Sequence, residues 1–154
     1  MNIVPPNNSI VCIDNTITFK ALYKPKSKVW YLFDDLIIKR SCTLYSTKIN
    51  LDRAKQAVKR KYNNIPVSEV EQSFEYLSTF LEVKQPEFYR NKLDIALSIL
   101  SNPKDDEDAH MLALAIQLQE LHSTNVYLWS DDCDFYNVID QISIYNIKLF
   151  KVVK

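Results

Sequence analysis

Three acidic points in this chain share one setting, a carboxylate placed beside an apolar run. Ile10-Val11-Cys12-Ile13 leads straight into Asp14. Val126-Tyr127-Leu128-Trp129 leads into Ser130-Asp131-Asp132-Cys133-Asp134. Between them, Asp105-Asp106-Glu107-Asp108 stands directly ahead of Ala109-His110-Met111-Leu112-Ala113-Leu114-Ala115-Ile116. Carboxylates that meet at one place repel, and burying them is costly unless something positive joins them. A hard divalent cation answers that need, since Mg²⁺ and Mn²⁺ prefer oxygen ligands and keep several waters. Such ions hydrolyse phosphodiesters by activating water and neutralising the developing negative charge. Taken singly, each acid is more simply a helix cap or turn residue, and Asp105 to Asp108 a solvated helix start. Only the joint order points to a metal site, with Asp14, Asp108 and Asp132 as its candidates and Asp105 and Asp106 as stand-ins for Asp108.

The elements that must position these acids follow from the apolar pattern. The runs before Asp14 and Ser130 lack polar alternation, which fits strands buried on both faces at the centre of a parallel sheet. In open α/β sheets the ligand site lies beyond the carboxyl ends of the strands. A short helix begins after the first strand, capped by Asp14 or Asn15. Val29, Leu32, Phe33, Leu36 and Ile37 keep helical spacing up to Arg40. Ser41 to Ser46 reads as a short strand. Asn50 is expected to cap a helix reaching about Lys61, with Leu51, Ala54, Val58 and Tyr62 on its apolar face. Ser68-Glu69-Val70-Glu71 has the form of a capping box, followed by a stripe of Val70, Phe74, Leu77 and Leu81. Pro86 suits the first turn of another helix carrying Tyr89, Leu93, Ala96 and Leu100. The stretch from Ala109 is apolar nearly all round and so predicts a buried helix. One turn over Phe135 to Ile139 and a strand over Ile147 to Val153 complete the chain. Helices that separate strands throughout imply an α/β fold with a central, mainly parallel sheet.

Composition narrows the function classes. With 154 residues, 47% hydrophobic and 25% charged, the chain has the usage of one ordinary globular domain. Its formal net charge is zero, so bulk charge does not mark a nucleic-acid binder. No apolar run approaches the ~20 residues of a membrane span. Residues 1 to 9 form a Pro- and Asn-rich lead-in without the pattern of a signal peptide. Cys12, Cys42 and Cys133 lack metal-pair spacing and are expected to be free thiols in a reducing cytoplasm. The chain contains no glycine at all. That excludes a P-loop and a dinucleotide-binding glycine fingerprint, both of which need glycine for close backbone approach to phosphate. It also leaves Asn63-Asn64, Asn91, Asn102 and Asn125 as the candidates for left-handed helix stops.

In order and spacing, the three acidic segments together resemble the PIN domain, a family of metal-dependent ribonucleases that includes VapC-type toxins. Ile10-Val11-Cys12-Ile13-Asp14-Asn15-Thr16-Ile17 is similar to the family's first strand and its Asp-Thr-Asn-Val motif. Asp108 with the Ala-rich stretch after it resembles the motif in which an Asp precedes an apolar helix. Leu128-Trp129-Ser130-Asp131-Asp132-Cys133-Asp134-Phe135 resembles the Thr-x-Asp-x-Asp-Phe turn after a late strand. The resemblance implies a PIN-like three-layer α/β/α fold over residues 10 to 154. It implies catalytic carboxylates at Asp14, Asp108 and Asp132, which would bind Mg²⁺ or Mn²⁺ with Asp134 as an additional ligand. RNA is the implied substrate, a small antitoxin protein the implied partner, and a homodimer the implied assembly, in the cytoplasm.

The sequence departs from the family pattern in two places. Asn15 and Thr16 are exchanged relative to the motif. The family's second acid, a Glu on the helix after the second strand, aligns with Arg53, and Asp52 one residue before it is the candidate substitute. These departures motivate a second reading, a degenerate PIN domain that binds RNA or a protein without cutting. Lys24, Lys26, Lys28 and Arg53 are candidate RNA contacts, although a solvated basic face is the simpler reading of the cations around them. His110, two residues from Asp108, faces away from it on a helix and reads as a packing or surface residue.

Overall fold

The computed structural model describes residues 4–23, 28–101 and 106–151. Five strands among them form one sheet: β1 (Ile10–Ile13), β2 (Thr43–Thr47), β3 (Leu81–Lys84), β4 (Val126–Trp129) and β5 (Ile147–Phe150), in the spatial order β3-β2-β1-β4-β5. Every pairing is parallel. The sheet is therefore wholly parallel, as the uninterrupted apolar strands require, since such a sheet is covered on both faces.

The two faces divide β1 residue by residue. Val11 and Ile13 join one apolar cluster, while Ile10 and Cys12 join the other. β4 repeats the division, with Tyr127 and Trp129 on the first side and Val126 and Leu128 on the second. The first face is covered by α1 (Asn15–Tyr23), α2 (Lys28–Asp34), α3 (Lys48–Lys61) and α4 (Val67–Ser78), which contribute among others Ile17, Phe33, Leu51, Val58 and Leu77. The second is covered by α5 (Pro86–Tyr89), α6 (Leu93–Leu100) and above all α7 (Asp106–His122), with α8 (Cys133–Tyr136) and α9 (Ile139–Ser143) adding Phe135 and Ile142. From Glu107 to Ile116 only His110 of α7 is not buried. A helix without a polar face has nowhere to go but the interior.

Several local expectations are corrected. Thr47, not Asn50, caps α3: its side chain accepts from the backbone N–H of Asn50, which lies buried inside the first turn. The Ser68–Glu71 capping box does not form. The cap of α4 lies two residues earlier, at Pro66, and Glu71 instead pairs with Lys59 and Lys55 of α3. Leu81 leaves the helical stripe and begins β3, because α4 ends at Ser78. The helix expected from Pro86 is broken by a 3₁₀ turn at Arg90–Lys92 into α5 and α6. The helix expected up to Arg40 closes in a π-helical turn over Asp35–Lys39. None of the described asparagines expected as stops is left-handed. Ser101 (φ 52°) ends α6 and Ser123 (φ 49°) follows α7, with Asn8, Ser41 and Asn146 at other turns; Asn102 lies outside the described residues. The described part of the lead-in is tied down, with Asn8 N–H donating to Arg40 O and the Arg40 guanidinium to Pro5 O.

Topology places the site. From β1 the chain steps outward through β2 to β3, then returns across the sheet by α7 to β4 and β5. The winding reverses between β1 and β4, and a crevice at such a point, beyond the carboxyl ends of the strands, is where open α/β sheets bind ligands. Ile13 and Trp129 lie abreast in the register, so Asp14 and Ser130 leave the sheet side by side.

Candidate metal centre

Asp14 is fixed by its surroundings. It is fully buried at the end of β1, where its N–H donates to Trp129 O at 3.0 Å. Its carbonyl accepts from the N–H groups of Ile17 and Thr18, which starts α1. On the carboxylate, Oδ2 accepts from Ser130 Oγ at 2.7 Å and Thr16 Oγ1 at 3.1 Å, and Oδ1 from Asn50 Nδ2 at 3.4 Å. Burial pushes its pKa up to about 6. The hydrogen bonds from Ser130, the Asn15 backbone and Thr16 pull the other way, and the charge of Asp132 adds a small rise.

Asp108 is equally deep and far less supported. It stands in the first turn of α7 with 1% of its surface exposed, and its Oδ2 has no hydrogen-bond partner. Only Trp129 Nε1 shares that condition among the buried side-chain polar atoms of the described residues. Burial, then the negative charges of Asp14, Asp132, Glu107 and Asp134, push the Asp108 carboxyl up to about 8. Asp14, Asp108 and Asp132 each offer an oxygen within 4.8 Å of the other two. Three carboxylates at that spacing, one with a bare buried oxygen, make a donor set that fits a hard divalent cation.

Ser130 ties the third acid to the first. Its hydroxyl donates to Asp14 and accepts the N–H of Asp132 at 2.9 Å, so one buried side chain sets both the first carboxylate and the turn after β4. Asp132 then caps α8 by accepting the N–H of Asp134. Asp134 itself is exposed and stands outside the three-acid group. It makes a looser acidic cluster with Asp132 and Cys133.

The side chain that α3 brings against Asp14 is Asn50, while Asp52, the candidate substitute for the second acid, and Arg53 make other contacts. Asn50 sits in the first turn of α3, oriented by the Thr47 hydroxyl, and donates to Asp14. Asp52, two residues on, is turned about 200° round the helix and pairs with Lys48 at 3.2 Å instead. Arg53 lies at the rim, where Nη1 donates to Glu107 Oε2 at 3.2 Å. Asn15 Nδ2 holds the other Glu107 oxygen at 3.4 Å. Glu107 is 7% exposed and thus a fourth buried acid beside the group, latched by Arg53 and Asn15. Lys28 is exposed at the start of α2, and Lys24, Lys26 and Asp105 lie outside the described residues. His110, half-buried, packs edge-on against Tyr89, whose hydroxyl lies 2.7 Å from Nδ1. Burial pushes the His110 pKa down.

Sequence reasoning missed Ser130, Asn50 and Glu107. Ser130 was visible only as the small polar residue two before Asp132. Asn50 had one usable signal, its place three residues after Thr47, the reciprocal spacing of a helix start. Glu107 was hidden by its neighbours, since nothing in a run of four acids says which one turns inward.

A family model described as the PIN domain matches residues 12–145. No curated protein matches the chain. Among solved structures, the chain is similar to one in VapBC2 from Rickettsia felis bound to a DNA fragment from its promoter, at 14% identity and a TM-score of 0.64 over 94% of this chain and 99% of that one. It is also similar to a chain of VapBC-1 from nontypeable Haemophilus influenzae, at 12% identity and a TM-score of 0.61 over 92% and 97%. At such identities the likeness concerns the fold.

Proposed function

The chain belongs to the PIN domain family, and from that premise we propose that it is a metal-dependent endoribonuclease, the toxin of a toxin–antitoxin pair. The observation that carries this reading is the trio Asp14, Asp108 and Asp132, with oxygens within 4.8 Å of one another and Asp108 Oδ2 buried without a partner. These three carboxylates would hold Mg²⁺ or Mn²⁺, with Asp134 at the margin. Such an ion, when bound, supplies an activated water and positive charge at the scissile phosphate. The chain's own residues do the rest. Ser130 and Thr16 hold Asp14 in one orientation, and Ser130 also fixes the turn that carries Asp132. Asn50 occupies the remaining Asp14 oxygen with a neutral amide, adding a donor and no charge. Arg53 at the rim, half-exposed beside Glu107, is positioned to meet a phosphate, and Lys24, Lys26 and Lys28 are the further candidate RNA contacts. No helix among the described residues is long and apolar enough to cross a membrane, which is compatible with action on cytoplasmic RNA. The likeness to chains of two VapBC assemblies supports an antitoxin partner; a homodimer is part of the same proposal.

A mixed RNA pool incubated with and without Mn²⁺, wild type beside Asp132→Asn, tests the reading. Cleavage is expected only with Mn²⁺ and is expected to disappear in the variant. Undiminished cutting by Asp132→Asn would reject the assignment. One observation favours the second reading, a non-cutting PIN domain that binds RNA or a protein: α3 offers an amide at Asn50 and a cation at Arg53 where a carboxylate would strengthen a metal site. That reading expects no change in melting temperature on adding Mn²⁺, and a marked rise sinks it.

A further inference from the structure

A cavity of about 310 Å³ opens between α1 and α3 beside the acid group, with Thr16, Phe19, Lys20, Ala54, Ala57 and Asp131 in its wall. Its wall combines two chemistries. The methyl groups of Ala54 and Ala57 and the Phe19 ring are apolar. The Lys20 ammonium pairs with the Asp131 carboxylate, joining α1 to the turn after β4. Thr16 connects this cavity to the acids, because its hydroxyl donates to Asp14 Oδ2 and accepts the N–H of Asp131, both at 3.1 Å. The cavity wall therefore stands one hydrogen bond from Asp14.

We propose that the cavity is a nucleobase subsite, which receives an unstacked base next to the scissile phosphate and reads its edge through Asp131 and Lys20. Single-stranded RNA is recognised in this manner elsewhere, by splaying a base out, packing its face and hydrogen-bonding its edge. Guanine complements the pair best. Its N1–H and N2–H donors lie side by side for one carboxylate, and its O6 and N7 acceptors face a cation. Uracil offers a carboxylate only a single donor. The Lys20–Asp131 pair keeps 41% and 23% of its side-chain surface exposed, so it belongs to the weakly held surface pairs and opens to a competing ligand at little cost. The subsite rests on reading the acid group as an RNA site, but its test needs neither metal nor cleavage.

The test is fluorescence anisotropy in EDTA with two labelled RNAs, an oligouridine octamer and the same octamer carrying one central guanine. Wild type is expected to bind the guanine octamer about tenfold more tightly, the scale of one good base contact. Asp131→Asn removes the double acceptor and Ala57→Leu fills the cavity, and each is expected to bring the ratio close to one. Lys20→Met, on the exposed side, is the third variant and guards against misfolding of the other two. Equal binding of both octamers by wild type, or a guanine preference that survives all three substitutions, overturns the proposal. A guanine preference without Mn²⁺-dependent cleavage would leave this subsite standing while the ribonuclease reading fails. Cleavage without the preference does the reverse.

Discussion

Asp14 and Asp108 are buried to the same depth and treated in opposite ways. Asp14 is surrounded by hydrogen-bond partners: Ser130, Thr16 and Asn50 donate to its carboxylate, the first turn of α1 donates to its carbonyl, and its own N–H donates to Trp129 O in the sheet. Asp108 is surrounded by other acids and leaves one oxygen bare. The hydrogen bonds offset much of the desolvation of the first, so its pKa rises to about 6, while the second, with charge repulsion added, goes to about 8. Hydrogen bonds hold a carboxylate in place; an unmet buried oxygen calls for a cation. One acid is thus held in place by the fold, and the other keeps an unmet buried oxygen.

Truncation should separate the two most sharply. Asp14→Ala strands the Ser130, Thr16 and Asn50 donors in the interior, and a loss of about 3–5 kcal/mol is expected in urea denaturation. Asp108→Asn instead removes a repelling charge. It is expected to raise the stability of the metal-free protein, by about 1–3 kcal/mol, while erasing stabilisation by Mn²⁺. If Asp108→Asn is as damaging as Asp14→Ala, the contrast is wrong.

The pH dependence follows with a definite sign. Both carboxyls have folded pKa values raised above the unfolded value of about 4. The folded state therefore holds more protons than the unfolded state between about pH 4 and pH 8. Their contribution is present below pH 4 and lost as pH rises through about 6 and then about 8. Melting curves in EDTA should fall across that window, and Asp108→Asn should remove the upper part of the fall. A metal-free wild type whose stability is level from pH 5 to pH 8 would contradict the assignment.

Smaller effects sharpen the picture. Ser130→Ala removes one donor from Asp14 and the acceptor for Asp132 N–H, with an expected cost of about 1–2 kcal/mol and a weaker response to Mn²⁺. Asp134→Asn, exposed and outside the trio, should shift the Mn²⁺ midpoint by no more than about threefold, as for other surface charges. A larger shift would move Asp134 into the site.

Much of this arrangement was legible in the chain itself. Uninterrupted apolar runs ending in acids mark central parallel strands, because only a strand covered on both faces tolerates such a run. α7 was legible for the same reason, and with it the order strand–Asp, Asp–helix, strand–Asp. The failures were local. Leu81 fits a helical stripe and a short strand alike, and its pairing with Leu44 in the sheet decided between them. Ser68 and Glu71 have capping-box spacing, but Lys55 and Lys59 on a different helix claimed the glutamate.

The sequence by itself determined the parallel α/β layering and the candidate acids Asp14, Asp108 and Asp132, because burial on two faces and carboxylate chemistry are written in residue type and order. Tertiary structure alone decided which neighbours complete the group. Asn50 rather than Asp52 or Arg53 meets Asp14, Ser130 bridges two acids, and Glu107 is latched by Arg53. These outcomes depend on where α3 and α7 stand against the edge of the sheet and on a rotation of about 100° per residue. Spacing along the chain carries the second quantity but not the first.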